Sequence, residues 1–132
     1  MNSVIINNCT FNEAPYSNGT YYIVDAGSGD VSGGVNISNS IFGRGKTNGD
    51  STGIKDIRVG SGTTVNSSFN YKTSDRISSL DASSQPLNPL TPILSYSGTS
   101  YDLWDDPDGG NFKIKDVSFA GKSSAGDPRW YY

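Results

Sequence analysis

The chain repeats one six-residue pattern four times, and this repetition limits the possible folds more than any other feature. In each copy a β-branched residue is followed two positions later by Asn or Asp, and Phe stands three positions after that. The copies occupy residues 6–11, 37–42, 64–69 and 114–119. A unit of this size cannot bury its own apolar face, so the recurrence predicts a stack of similar units.

The spacing of the copies matches a particular repeat architecture. They begin at residues 6, 37, 64 and 114, which gives intervals of 31, 27 and 50 residues, the last close to two shorter intervals. Repeats of roughly 20 to 50 residues are typical of solenoids. Val35 and Ile37 alternate with polar residues, as expected for strands. We therefore predict an all-β chain that folds as a right-handed parallel β-helix, although frequent Asn-Ser pairs in a chain rich in both residues are an alternative explanation.

The repeated pattern also predicts which residues occupy equivalent places. Asn and Asp tolerate the left-handed backbone of a sharp bend better than other non-glycine residues, and stacked amides can hydrogen-bond along the stack. The predicted bends are at Asn8, Asn39, Asn66 and Asp116. The predicted internal stack consists of Phe11, Phe42, Phe69 and Phe119.

Composition agrees with one β-rich domain. The 132 residues include 16 Gly and 6 Pro, and no stretch shows helical periodicity over three turns. The 2 Trp, 8 Tyr and 5 Phe argue against intrinsic disorder. The predicted parts of the single domain 1–132 are coils over about 1–72, an extended proline-rich segment over about 73–95, and a last coil with a closing segment over about 96–132. The alternative for the proline-rich segment, with prolines at 86, 89 and 92, is a linker to a second domain.

Further strands are expected at 21–24 and 54–59, the latter with Ile57 and Val59 on one face. At the N-terminus the first coil begins almost at once, with no residues for a cap. We therefore expect an upstream part of the same polypeptide, and self-association or fraying of the uncapped first coil.

Charge and special residues limit the partners. The net charge is −3 with a pI near 4.6 and scattered basic residues, so nucleic acid is not an expected ligand. There is no histidine, which excludes Ser-His-Asp catalysis and imidazole metal sites from this chain. The single cysteine, Cys9, is predicted to be a small buried residue. No apolar run is long enough for membrane insertion.

A resemblance to known proteins extends over roughly residues 35–132. The run Leu-Trp-Asp-Asp-Pro-Asp-Gly-Gly-Asn-Phe-Lys-Ile-Lys-Asp at 103–116 resembles a segment that closes many right-handed β-helix proteins of the pectate-lyase-like superfamily. Residues 119–130 and 70–75 are similar to the C-terminal domain of uncharacterised surface proteins from polysaccharide-degrading gut bacteria. The resemblance implies a secreted or cell-surface β-helix domain associated with carbohydrate uptake, with no assigned catalytic residues.

Two kinds of site can be considered within that resemblance. Lyases of this fold use calcium and a basic residue, and the residues of suitable type here are Arg44, Lys46, Asp50, Lys55, Asp56 and Arg58. Their order matches no lyase motif, so a solvated surface is the preferred interpretation. Residues 105–111 are predicted to form a turn and not a calcium loop, because they lack the EF-hand spacing.

Sugar binding is the other possibility, since tyrosine and tryptophan faces stack on sugar rings. Trp104 and Trp130 are expected to be structural. The candidate ligand-binding residues are Tyr16, Tyr21, Tyr22, Arg44, Lys46, Arg58 and Tyr101.

The sequence thus predicts a non-catalytic structural or carbohydrate-binding β-helix module, extracellular or on a bacterial surface. No cofactor is predicted, and calcium enters only in one alternative, a part of a polysaccharide lyase of the pectate type. A second alternative is a β-sandwich carbohydrate-binding module.

Overall fold

The computed structural model describes residues 2–16, 21–46 and 53–132, and these form an all-β protein with very little helix. The strands are β1 (Val4–Asn7), β2 (Thr10–Phe11), β3 (Val24–Asp25), β4 (Val35–Ser38), β5 (Ile41–Phe42), β6 (Ile57–Arg58), β7 (Val65–Ser68), β8 (Tyr71–Lys72), β9 (Leu94–Ser95), β10 (Trp104–Asp106) and β11 (Asn111–Ile114). One short helix, α1, covers Ser100–Leu103, and a 3-10 turn covers Pro128–Trp130. Within the described residues no helix has the length and apolar character needed to cross a membrane.

Three small parallel sheets make up the N-terminal two thirds of the chain. Their strand orders are β1-β4-β7, β2-β5-β8-β9 and β3-β6. In the first sheet Val4 pairs with Val35 and Val35 with Val65, so the chain returns to the same sheet after 31 and then 30 residues. In the second sheet Thr10, Ile41, Tyr71 and Leu94 are successive partners. The repeat seen in the sequence therefore corresponds to repeated parallel pairing.

A first apolar cluster is shared by the three sheets. Alternate residues of each strand point into it, because side chains of a strand alternate between faces. Its fully buried members are Val24, Val31, Val35, Ile37, Phe42, Ile57 and Leu90. Phe11 packs against the cluster and stacks on Phe42, with ring centroids 4.9 Å apart and planes inclined by 6°. This pair confirms the first half of the predicted phenylalanine stack.

Equivalent bends join the first sheet to the second. Asn8, Asn39 and Phe69 have φ values of 52°, 51° and 53°, in the left-handed region. The next residue along the chain faces inward, and there Asn70 accepts from the Ser40 amide at 3.0 Å and donates to the Ile37 carbonyl at 2.7 Å. The bends at the first two asparagines agree with the prediction.

The structure differs from the predicted alignment at the third and fourth copies of the pattern. Ser67, not Thr64, pairs with Ile37, so Phe69 takes the bend and is 70% exposed. Asn66 lies within strand β7, where its side-chain amide donates to the Asn36 side chain at 3.0 Å. Ser67 takes the inward position that Ile37 has in β4. Because this position is polar in β7, the apolar pattern predicts a register that is wrong by three residues.

The fourth copy belongs to a different kind of structure. It follows an antiparallel pair formed by β10 and β11, in which Trp104 pairs with Ile114. Asp116 has no left-handed backbone, and its carboxylate instead accepts from the Ser118 amide at 2.8 Å. Phe119 is buried, but in a second apolar cluster. The predicted last coil over 96–132 is therefore replaced by α1 and this hairpin.

The second cluster lies on the outer side of the second sheet. Strand β5 places Phe42 in the first cluster and the preceding Ile41 in the second, because the two side chains point to opposite faces. The other fully buried members are Tyr96, Leu103, Trp104, Ile114, Phe119 and Ala125. Trp104 is thus structural, as expected, and Trp130 lies edge-on to Phe112 at 6.0 Å.

The C-terminal segment lies along the flank of the parallel sheets. The Gly126 amide donates to the Asn39 carbonyl at 2.8 Å, and the Asp127 amide donates to Thr10 Oγ1 at 2.9 Å. A Cβ atom at Gly126 would meet Thr10 and Ile41 within 2.9 Å, and the backbone there has φ of 81°, so only glycine allows this approach. The segment covers a face instead of closing an end as predicted.

The proline-rich segment continues the parallel sheets. Strand β9 is the fourth strand of the second sheet, and the Asn88 carbonyl accepts from the amides of Asp56 and Ile57 at 2.9 and 3.0 Å. Leu90 is buried in the first cluster. Ser84 and Asn88 have positive φ values, so the segment lies on the sheets, as predicted, but turns where a regular polyproline helix would not.

Candidate functional site

Arg44 organises the most connected group of predicted binding residues. It follows β5 and forms ion pairs with Glu13, at 3.2 Å, and with Asp108. Its guanidinium lies over the Tyr101 ring, 4.5 Å from the centroid. The Tyr101 hydroxyl donates to Asp108 at 3.1 Å, which closes the ring of contacts. We call Glu13, Arg44, Tyr101 and Asp108 the Arg44 cluster.

The local sequence explains how these side chains meet. Glu13 and Arg44 follow the paired strands β2 and β5, and the Glu13 amide donates to the Arg44 carbonyl at 2.8 Å. Tyr101 is held by α1, whose N-cap Thr99 forms a capping box with Asp102. Asp108 lies in the turn between β10 and β11, where Asp106 accepts from the Gly109 amide at 3.0 Å. The turn itself covers residues 107–110 and is shorter than the predicted 105–111, and the Asp108 carboxylate within it pairs with Arg44.

Two further tyrosines and a lysine extend this cluster. Lys46 Nζ lies 3.6 Å from Glu13, and the Lys46 backbone forms a parallel bridge with Tyr16. The rings of Tyr16 and Tyr21 are 6.0 Å apart and inclined by 49°. Tyr16, Tyr21 and Tyr101 are 45%, 55% and 49% exposed. We call these three tyrosines, with the Arg44 cluster and Lys46, the tyrosine surface.

The remaining two predicted residues form a second group on β3 and β6. Arg58 makes two hydrogen bonds of 2.7 Å to the Asp25 carboxylate. The guanidinium also lies 4.7 Å from the centroid of the Tyr22 ring, and Lys55 Nζ lies 5.7 Å from it. Because Asp25 and Arg58 are register partners, the parallel pairing itself brings them together.

Hydrogen bonding to arginine shifts both exposed carboxylates in the same direction. The Arg44 hydrogen bond, against a smaller opposing effect of burial, holds the pKa of Asp108 below its ordinary value. The hydrogen bond from Arg58 likewise lowers the pKa of Asp25, with help from the Gly27 amide. Both carboxylates therefore stay charged at lower pH than a free aspartate, and both arginines keep a fixed partner.

The residues considered for lyase chemistry do not form one group. Arg44 and Arg58 belong to the two separate ion-pair groups, and Asp56 Oδ1 accepts from Arg76 Nη2 at 2.7 Å. Asp50 lies outside the described residues. Across the described part of the chain, no three Cys, Asp or Glu side chains lie close enough together to hold a metal ion.

Sequence reasoning missed the two acidic partners of Arg44 and the buried Arg76. The sequence predicts only a turn at Asp108, and nothing in the local sequence indicates that this turn lies against α1 and β5. Arg76 donates from Nη1 to the carbonyls of Ala14 and Gly43, and it stacks over Phe42 at 5.3 Å. A single arginine in a polar segment gave no signal of burial.

Comparisons with known proteins leave the assignment at the level of a family. Searches of curated proteins and of solved structures gave no match to this chain. One family model, described as a domain of unknown function (DUF5123), matches residues 4–130. Because the match covers nearly the whole sequence, the chain belongs to the DUF5123 family.

Proposed function

We propose that the parallel sheets are the faces of a right-handed parallel β-helix, in which each coil contributes one strand to a sheet. Two observations support this proposal. Strands about 30 residues apart pair in parallel within the first sheet, and the three sheets share one apolar cluster. Parallel strands need crossover connections, and these are nearly always right-handed. The parallel pairing disfavours the β-sandwich alternative, because sandwich sheets are antiparallel.

The function that we propose is non-catalytic binding of a polysaccharide by the tyrosine surface. The observation that carries the proposal is the set of three half-exposed tyrosines beside a fixed arginine. Aromatic faces stack on the C–H faces of sugars, and their hydroxyl groups can bond to sugar hydroxyls. Tyr101 is held by Arg44 and Asp108 before any ligand arrives, so little side-chain entropy is lost on binding.

The charged groups of the tyrosine surface balance, with Arg44 and Lys46 against Glu13 and Asp108, so the tyrosines and not a net charge carry the proposal. Arg44 is mostly buried between Glu13 and Asp108, so it serves chiefly to hold the surface together. Lys46 is more exposed, beside Tyr16, and its ammonium is 3.6 Å from Glu13. We further propose that the module acts outside the cell or on a bacterial surface, where polysaccharides occur.

Direct binding measurements test the proposal. Plant and host polysaccharides, both neutral and uronate-containing, would be screened by affinity electrophoresis and then by calorimetry. Tyr101→Ala should weaken binding by roughly two- to tenfold, since one aromatic contact contributes about 0.5–1.5 kcal/mol. Tyr132→Ala is the matched control, because this tyrosine is also exposed but lies at the C-terminal segment.

The outcomes separate binding from the lyase alternative. Equal binding by the Tyr101 and Tyr132 variants, or no binding to any glycan of the panel, would contradict the proposal. The lyase alternative would be favoured if the protein released unsaturated uronides from pectate or alginate and if the Arg58→Ala variant did not. We expect no such release with or without calcium.

A further inference from the structure

A cavity of about 310 Å³ opens where the proline-rich segment meets the parallel sheets, and its lining residues are different from those of the tyrosine surface. Its walls come from β8, from the loop after it, and from residues 85–93. This volume is at the lower end of the range of about 300–1,000 Å³ that small-molecule sites occupy. We call it the Lys72 pocket, after the cation in its wall.

Lys72 occupies a place that phenylalanine fills in the two preceding strands of the second sheet, while Ser95 takes that place in the next strand. In the second sheet Phe11 pairs with Phe42, and Phe42 pairs with Lys72. The two phenylalanines belong to the first cluster, and Leu90 and Ile93 of that cluster line the pocket beside Lys72. Lys72 is half-buried beside these apolar side chains, so a counter-charge that binds there would stabilise its ammonium group.

The pocket itself does not supply that counter-charge. Among the described residues Lys72 Nζ has no ion pair or hydrogen bond. Asp56 is the one carboxylate in the lining, and both of its oxygens are engaged, by Arg76 Nη2 at 2.7 Å and by the Leu90 amide at 3.1 Å. Lys72 and Arg76 against Asp56 leave the lining with one excess positive charge.

The arginine wall is rigid. The Arg76 side chain is 3% exposed and is fixed by hydrogen bonds to two backbone carbonyls, to Asp56 and by stacking on Phe42. The remaining lining combines an apolar wall, from Leu90, Ile93 and prolines, with the polar side chains of Ser78 and Gln85. A ligand with one carboxylate, several hydroxyl groups and a C–H face would satisfy every part of this lining.

We propose that the Lys72 pocket binds a single uronic acid residue, with Lys72 as the partner of its carboxylate. A hexuronate is a monoanion, which matches the one excess charge, and it has the hydroxyl groups and C–H face that the walls accept. The site is distinct from the tyrosine surface and does not depend on it.

Titration of the whole protein with galacturonate, followed by amide resonances in two-dimensional NMR, tests the assignment. Galactose and inorganic phosphate are the comparison ligands, because the first lacks the carboxylate and the second lacks the C–H face. Galacturonate should shift resonances of residues 85–93 with saturation, and the other two ligands should not. Lys72→Met should weaken galacturonate binding about tenfold or more, while Lys72→Arg should retain most of it.

Lys115→Met removes the same charge from an exposed site elsewhere and should leave the affinity unchanged. Galacturonate binding that is unchanged in Lys72→Met, equal shifts with galactose, shifts with phosphate alone, or no saturable binding to the wild type would each overturn the proposal. Tyr101→Ala should leave galacturonate binding intact, so failure of the tyrosine surface and failure of this pocket are distinguished.

Discussion

Removal of the Phe42 side chain is the sharpest test of how the sequence repeat maps onto the structure. Phe42 is 1% exposed and stacks on Phe11 at 4.9 Å on one side. On the other side the Arg76 guanidinium lies 5.3 Å from its centroid. The Phe42 ring therefore packs between Phe11 of β2 and the buried Arg76, and Phe42→Ala leaves a cavity between these two side chains.

The expected cost follows from these contacts. Truncation of a buried phenylalanine to alanine destabilises proteins by about 3–5 kcal/mol, which includes the cavity. The stacked pair contributes about 0.5–1.5 kcal/mol beyond burial, so we expect the upper part of that range. A domain of this size has about 5–15 kcal/mol of stability, and Phe42→Ala should therefore fold but unfold at much lower urea concentration.

Phe69→Ala is the matched control because the two phenylalanines hold the same place in the repeated sequence pattern. Phe69 is 70% exposed at a bend, so its truncation should change stability by no more than about 0.5 kcal/mol. Both variants would be measured by urea unfolding monitored by circular dichroism, with the slope compared to the wild type. Equal destabilisation by the two substitutions would refute the register and restore the alignment that the sequence pattern indicates.

Three further predictions concern other parts of the molecule. Tyr96→Phe loses the hydrogen bond to Asp116 and should be less stable than the wild type at pH 8. Burial, and then this hydrogen bond, raise the pKa of Tyr96 above its ordinary value of 10.0. The difference in free energy of unfolding between wild type and variant is therefore full below pH 10.0 and should shrink as the pH rises above it. Urea unfolding from pH 8 to 11 measures this, and a gap that stays constant would count against it. Arg76→Ala leaves the Asp56 carboxylate partly buried and unpaired and should cost about 3–5 kcal/mol, whereas Arg129→Ala, at an exposed ion pair, should change the urea midpoint little. Amides of β1, at the edge of its sheet among the described strands, should exchange with solvent faster than those of β4 in a dilute monomer, and equal protection would contradict the predicted fraying.

Some of the candidate site could be predicted because residue type alone limits it. Tyrosines and arginines suited to glycans were identifiable, and Tyr16, Tyr21, Arg44, Lys46 and Tyr101 lie in one connected surface. The acidic partners could not be identified in this way. Glu13 is 31 residues away from Arg44 in the sequence. Asp108 is brought to Arg44 by the β10-β11 hairpin, whose position depends on packing.

The bends between the first and second sheets also show what local sequence can and cannot predict. Asn8 and Asn39 accept a left-handed backbone at low cost, so their role could be read locally. Phe69 takes that conformation only because the neighbouring parallel strands fix its register, and local preference is then overridden. Lys72 faces the cavity for the same reason, since pairing with Phe42 sets its direction.

The sequence by itself determined the all-β class, the return of about 30 residues, and the aromatic and basic residue types of the candidate site. These depend on composition and on local backbone preference, which act over a few residues. Only the tertiary structure decided the register of the third parallel strand, the side-by-side packing of the C-terminal segment, and the excess charge of the Lys72 pocket. These depend on contacts between residues far apart in the chain, where burial and pairing outweigh what any short segment prefers.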